Sequence, residues 1–151
     1  MRVTTIVTMI ALASLVGLAC SDNSTSNSGA ETFTATLTGA KERPTPVTTT
    51  AQATATVKII GDSLTWTVNI TSAIDSVIAG HIHRGGPEDA GGVVQSLSPT
   101  ATGIGFTGIV ANGSAVPPDS VITLMRAGLA YVNIHTKAHT GGEIRGQLVK
   151  Q

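Results

Sequence analysis

Along most of the chain apolar and polar residues alternate one by one, the period of a strand with one buried face. "TFTATLTG" (32–39) sets Phe33, Ala35 and Leu37 on one side and threonines on the other. "AQATATVKII" (51–60) and "SLTWTVNIT" (63–71) alternate likewise, and Leu64, Trp66, Val68 and Ile70 share a face. Gly61-Asp62 between them predicts a hairpin turn. "AKERPTPVTTT", with its two prolines, predicts loop or sheet edge.

"DSVIAGHIH" (75–83) predicts a further strand. Ile78, Gly80 and Ile82 share the core face, with Val77, Ala79, His81 and His83 opposite. Strands are also expected at 91–97, 103–110, 129–136 and 142–150. "PPDSVITLMRAG" (117–128) breaks the pattern, because Val121, Ile122, Leu124 and Met125 recur at helical spacing. Prolines ahead of it and Gly128 behind it fit helix ends, so a short helix is expected at about 117–127. The sum is one all-β domain over 32–151, an antiparallel sandwich or barrel. No period of 20–50 residues marks a repeat array.

Composition narrows the function classes. The 151 residues carry no net charge, and only 12% are charged. A basic face that could follow a phosphate backbone is not expected, so nucleic acid is excluded as a partner. Aromatics, at 3%, are too few for stacking platforms.

The first 19 residues read as a signal peptide, one Arg followed by an apolar stretch too short for a membrane span. The single cysteine, Cys20, follows it directly and has no intramolecular disulfide partner. "GLAC" resembles the lipobox of bacterial lipoproteins, with Ala19 in pattern and Gly17 out of it. That resemblance implies a lipid on Cys20, export, and anchorage in the envelope. Ser21 after the cysteine implies the outer membrane. The polar run from Cys20 to residue 31 reads as a tether.

The chemistry concentrates on histidine. There are four in all, and two stand at alternate positions in "HIH". Residues i and i+2 of a strand point the same way, about 6.5–7 Å apart. His81 and His83 therefore share a face. In "YVNIHT", Tyr131, Asn133 and His135 share one too. Were these strands neighbours, three imidazoles would converge, and His139 in "KAHTGG" is placed to reach them. Neutral imidazoles are ligands for zinc and copper, so the set is a candidate metal site. Glu88 and Asp89 are candidates for added oxygen ligands or acceptors. The competing reading is polar packing, in which imidazoles, Asn133 and Arg145 hydrogen-bond across the sheet and hold two glycine-rich loops. Glu143 and Arg145 fall on one strand face, as a surface pair or as a bond to loop carbonyls. No nucleophile-elbow or dinucleotide motif is present.

"AGHIHRGGPEDAGGVVQSL" and "GLAYVNIHTKAHTGGEIRGQL" together resemble the CHRD domain family, named for repeats in chordin. The matching positions include Gly85, Gly92, Asn133, Thr136, Gly142, Glu143, Arg145 and Gly146. The family's early acidic and proline element appears as "ERPTP" (42–46), with one inserted threonine. The resemblance implies an immunoglobulin-like, Greek-key β-sandwich outside the cytoplasm, with no catalytic residues to transfer. Together with the signal, the tether and the absence of a nucleophile–base set, it leads to the expectation of a non-enzymatic binding or scaffold module whose partner is an extracellular protein, a glycan or a metal. The HIH strand is also similar to that of copper/zinc superoxide dismutases, where alternate histidines and a third from a late strand bind copper. His81, His83 and His135 match that set, whereas the disulfide and the long zinc loop have no counterpart. The alternative expectation is thus a copper- or zinc-binding protein, redox-active in a dismutase-like way.

Overall fold

The structure is a computed structural model, which describes residues 29–151. The expected signal peptide, Cys20 and most of the tether lie outside the described residues. The elements are β1 (Glu31–Thr38), β2 (Gln52–Ile60), β3 (Ser63–Ile74), β4 (Val77–Arg84) and β5 (Val93–Ser96). They continue with β6 (Phe106–Ala115), α1 (Asp119–Arg126), β7 (Ala130–Thr136), β8 (Ile144–Gln147) and β9 (Val149–Lys150). A 3-10 turn, Gly39–Lys41, follows β1.

Every strand pairing is antiparallel. One sheet runs β5-β4-β7-β8-β1-β2-β3-β6, with β9 beside β1. It curls into a half-barrel, so the expected all-β antiparallel class holds. The hairpin of β2 and β3 turns at Gly61-Asp62, as the sequence predicts. Phe33, Leu37, Val57, Leu64, Val68, Ile82, Ile134 and Ile144 are fully buried inside the curl. β8 approaches β1 so closely that a Cβ on Gly146 would lie 2.6 Å from the Thr36 carbonyl oxygen, which explains that glycine.

Three expectations shift. On β4, Val77 is buried and Ile78 is 44% exposed, the reverse of the expected faces. A register shift against β7 between Val77 and Ala79 is the cause, since one extra residue inverts the alternation. The strand expected at 103–110 begins at Phe106, because Gly105 takes a positive φ of 70° ahead of it. The helix is two residues shorter than expected at its start, where Pro118 holds the N-cap position without a side-chain bond, and one shorter at its end, where Ala127 is the C-cap. Val121, Ile122 and Met125 are its buried side. Glu31 accepts hydrogen bonds from Arg126 (2.9 Å) and Lys150 (2.7 Å), which ties α1 to the sheet rim.

The open side of the curl is crossed by residues 97–103. Leu97 N donates to Gly80 O and Thr102 N to Val77 O on β4, while Thr100 N donates to Val110 O on β6. Trp66 fastens this crossing from beneath, its indole Nε1 donating to Leu97 O at 3.1 Å. Trp66→Phe leaves that carbonyl without its donor in a dry environment. The expected cost is about 1–3 kcal/mol, measured by urea denaturation followed by circular dichroism. A loss below about 0.5 kcal/mol would show that the crossing does not depend on this bond.

Candidate metal centre

β4 and β7 are neighbours, and their register sets His81 opposite Asn133, His83 opposite Tyr131 and Ala79 opposite His135. The outer face of the sheet therefore carries the three histidines, with Ile82, Val132 and Ile134 turned into the core. One candidate ligand nitrogen from each of His81, His83 and His135 lies within 4.8 Å of the others. His81 Nδ1 is 3.1 Å from His135 Nε2. Two nitrogens on one zinc ion lie about 3.3 Å apart, so this pair has close to ligand spacing, and the third has to close by roughly 1.5 Å. Without a metal His81 Nδ1 donates to His135 Nε2, and coordination through that nitrogen requires His81 to carry its proton on Nε2 instead.

Loop carbonyls set the tautomers. His83 Nδ1 is 2.9 Å from Gly91 O, and His135 Nδ1 is 3.0 Å from Thr140 O. A carbonyl only accepts, so both Nδ1 atoms carry the proton and both Nε2 atoms hold lone pairs. This is the outer hydrogen bond that orients metal-bound histidines generally. His83 Nε2 is buried and has no partner in the protein. His83 and His135 are 8% and 7% exposed, whereas His81 is only half-buried. All three imidazoles are held below the usual histidine pKa, chiefly by burial. The neighbouring imidazole adds to this at His81 and His135, and the Arg145 charge adds to it at His83. They are neutral donors at neutral pH.

The surrounding motif residues hold the two loops. Arg145, 2% exposed, donates from Nη1 to Asp89 O (2.6 Å) and from Nη2 to Gly86 O (2.7 Å). Its guanidinium carbon sits 3.5 Å from the Tyr131 ring centre, and His83 stacks on the same ring at 5.1 Å. Tyr131 Oη accepts from Gly91 N at 3.0 Å, which holds the loop carbonyl that orients His83. Gln147 Nε2 donates to Gly85 O at 3.0 Å, and Gly92 O accepts from Arg84 N. Thr136 Oγ1 donates to Glu143 Oε2 at 2.9 Å and accepts from His139 N at 3.0 Å, which shapes the second loop.

Other expected site residues lie elsewhere. His139 does not join the three; its Nε2 is 3.6 Å from Glu143 Oε2, because the loop turns it outward. Glu88 forms a pair with Arg43 at 2.8 Å, and Asp89 Oδ2 accepts from Gly86 N. Neither acid reaches the histidines, since each is bound within the loop layer. Glu143 and Arg145 are both buried and have separate partners, so the loop-carbonyl reading of Arg145 is the correct one.

The burial of one acid of the matched family element escaped the sequence. Glu42, 3% exposed, accepts from Asn133 Nδ2 at 3.2 Å, and its Oε1 has no partner in the protein. A Cβ on Gly142 would stand 2.6 Å from both Glu42 Oε2 and Asn133 Nδ2 at a φ of 140°, so only glycine closes over this pair. Burial drives the Glu42 pKa up to about 7, against the pull of the Asn133 bond and the Arg145 charge. The sequence signal was its place in the family's acidic and proline element, which says nothing of burial.

A small β domain with a polar layer beneath two glycine-rich loops is the class these features define. The chain belongs to the CHRD domain family, whose model matches residues 33–148. No curated protein and no solved structure matches it.

Glu42 gives the site a pH signature. Its carboxyl binds protons more tightly folded than unfolded, so its stabilising contribution is complete below about pH 4.5 and is lost as pH rises through about 7. Glu42→Gln does not titrate. The variant should match the native protein near pH 4.5 and exceed it by about 1–3 kcal/mol at pH 8, by denaturation at each pH. Equal pH profiles would show that Glu42 is not buried as a carboxylate.

Proposed function

We propose that this protein is a non-enzymatic metal-binding module, exported and held at the cell envelope, which takes copper or zinc on His81, His83 and His135. The observation that carries this is the convergence of three neutral imidazole nitrogens within 4.8 Å. Nitrogen donors of this kind select zinc and copper over calcium and magnesium, which favour oxygen. The crossovers that set β4 beside β7 and β3 beside β6 support an immunoglobulin-like, Greek-key assignment. Export and anchorage rest on the signal-like first 19 residues and Cys20.

The purified mature domain is expected to contain one copper or zinc per chain by elemental analysis. His81→Ala/His83→Ala should lose the metal while the circular dichroism spectrum is kept. A metal-free native domain whose double variant melts far lower would overturn the reading. The imidazoles would then be polar struts for the loops, and the module's partner an extracellular protein or a glycan. Mass spectrometry of the native N-terminus tests the anchor. A diacyl or triacyl mass on Cys20 is expected, and an unmodified residue 20 or a cut elsewhere would remove it.

A further inference from the structure

The donor set of this centre is incomplete for a four-coordinate ion. Zinc takes four ligands, and sites with three protein ligands fill the fourth position with water or substrate. Among the described residues, three histidines are the only ligand group of three or more, and no carboxylate belongs to it. The nearby acids do not join it: Glu42 binds Asn133 through Oε2, Glu88 binds Arg43, Asp89 accepts from Gly86 N, and Glu143 accepts from Thr136. The burial is also one-sided. His83 and His135 are enclosed and oriented by Gly91 O and Thr140 O. His81 is half-buried, and neither of its nitrogens bonds a loop carbonyl. The way in from solvent therefore runs along His81.

Charge decides what enters. Three imidazoles leave the charge of a divalent ion uncompensated. Arg145 adds a second positive charge nearby, buried against Tyr131 with carbonyl acceptors and no carboxylate in ion-pair contact among the described residues; Glu42 and Asp89 offset it only from a distance. A neutral fourth ligand would leave that charge in place, and a small anion offsets it.

We propose that the metal on His81, His83 and His135 keeps a solvent-facing fourth position beside His81 that exchanges small anions, hydroxide among them. This rests on the metal reading above and specifies how the centre meets its surroundings. Water in that position has its acidity raised toward neutrality, as at other three-ligand zinc sites.

Cobalt(II) is the probe. The full mature domain is titrated with cobalt(II) at pH 7.5, and then with sodium azide, while visible absorption is followed. The expected result is a d–d spectrum of tetrahedral intensity that saturates at one equivalent, shifted by azide along a one-to-one isotherm. His139→Ala should give both responses unchanged. His81→Ala should weaken cobalt binding at least tenfold. Cobalt bands that form at one equivalent and ignore saturating azide would overturn the open position and leave the metal reading intact. Absence of cobalt bands in the native domain would overturn both.

Discussion

A guanidinium buried at 2% exposure, with loop carbonyls as its acceptors, organises the outer face of this sheet. Arg145 sits on β8, where the register places it opposite Asn133. From there it binds Gly86 O and Asp89 O and lies on Tyr131. Those contacts fix the loop over 85–92 against the sheet, and Tyr131 fixes Gly91. Gly91 O in turn orients His83. A charge so enclosed is costly to desolvate, and its hydrogen bonds offset that cost only in this arrangement. Lysine has no planar fork to reach two carbonyls at once. The stack of His83, Tyr131 and Arg145 thus joins loop geometry to imidazole geometry.

The protein has two interiors of different kinds. Inside the curl lies an aliphatic core, closed by the crossing at 97–103 and by Trp66. Outside lies a polar layer capped by loops, in which Glu42, Asn133, His83, His135, Glu143 and Arg145 are all buried. The strand period makes this division natural, since each strand of β4 and β7 presents aliphatics inward and polar groups outward. The two layers are mechanically distinct. Changes in the loops alter the polar layer without disturbing aliphatic packing, whereas a slip of β4 by one residue would exchange the two.

How much of this was legible in the sequence depended on period and chemistry. Alternation placed β1, β2, β3 and β7, and it set His81, His83 and His135 on outward faces. Neighbourhood of β4 and β7 was a condition there, and the register meets it. Ile78 was misplaced because a bulge has no signature in an alternating string of Val, Ile and Ala. Glu42 was missed because its burial depends on a long-range contact with Asn133, 91 residues away. The carbonyls of Gly91 and Thr140 were invisible for a plainer reason: every residue has one. His139 shared the residue type and the neighbourhood of the others, yet loop direction carries it to Glu143.

The two accounts of the triad differ in how they treat one atom. In a purely structural role, the imidazoles are satisfied by hydrogen bonds, as His81 and His135 are by each other and by Thr140 O. His83 is not: its Nδ1 donates to Gly91 O, and its Nε2 lone pair is buried with no donor partner in the protein. A buried acceptor left unmet costs about 1–3 kcal/mol. A phenylalanine would stack on Tyr131 without that unmet acceptor, but would take away the donor that His83 gives Gly91 O. The lone pair shares this state with the buried Glu42 Oε1, Asn133 Oδ1 and Gln147 Oε1 of the same polar layer. A proton is disfavoured, since burial and the Arg145 charge both lower the pKa of His83. A soft or borderline metal ion accepts the lone pair and recruits the other two nitrogens. His83 Nε2 is therefore the atom on which the metal proposal and polar packing make different demands.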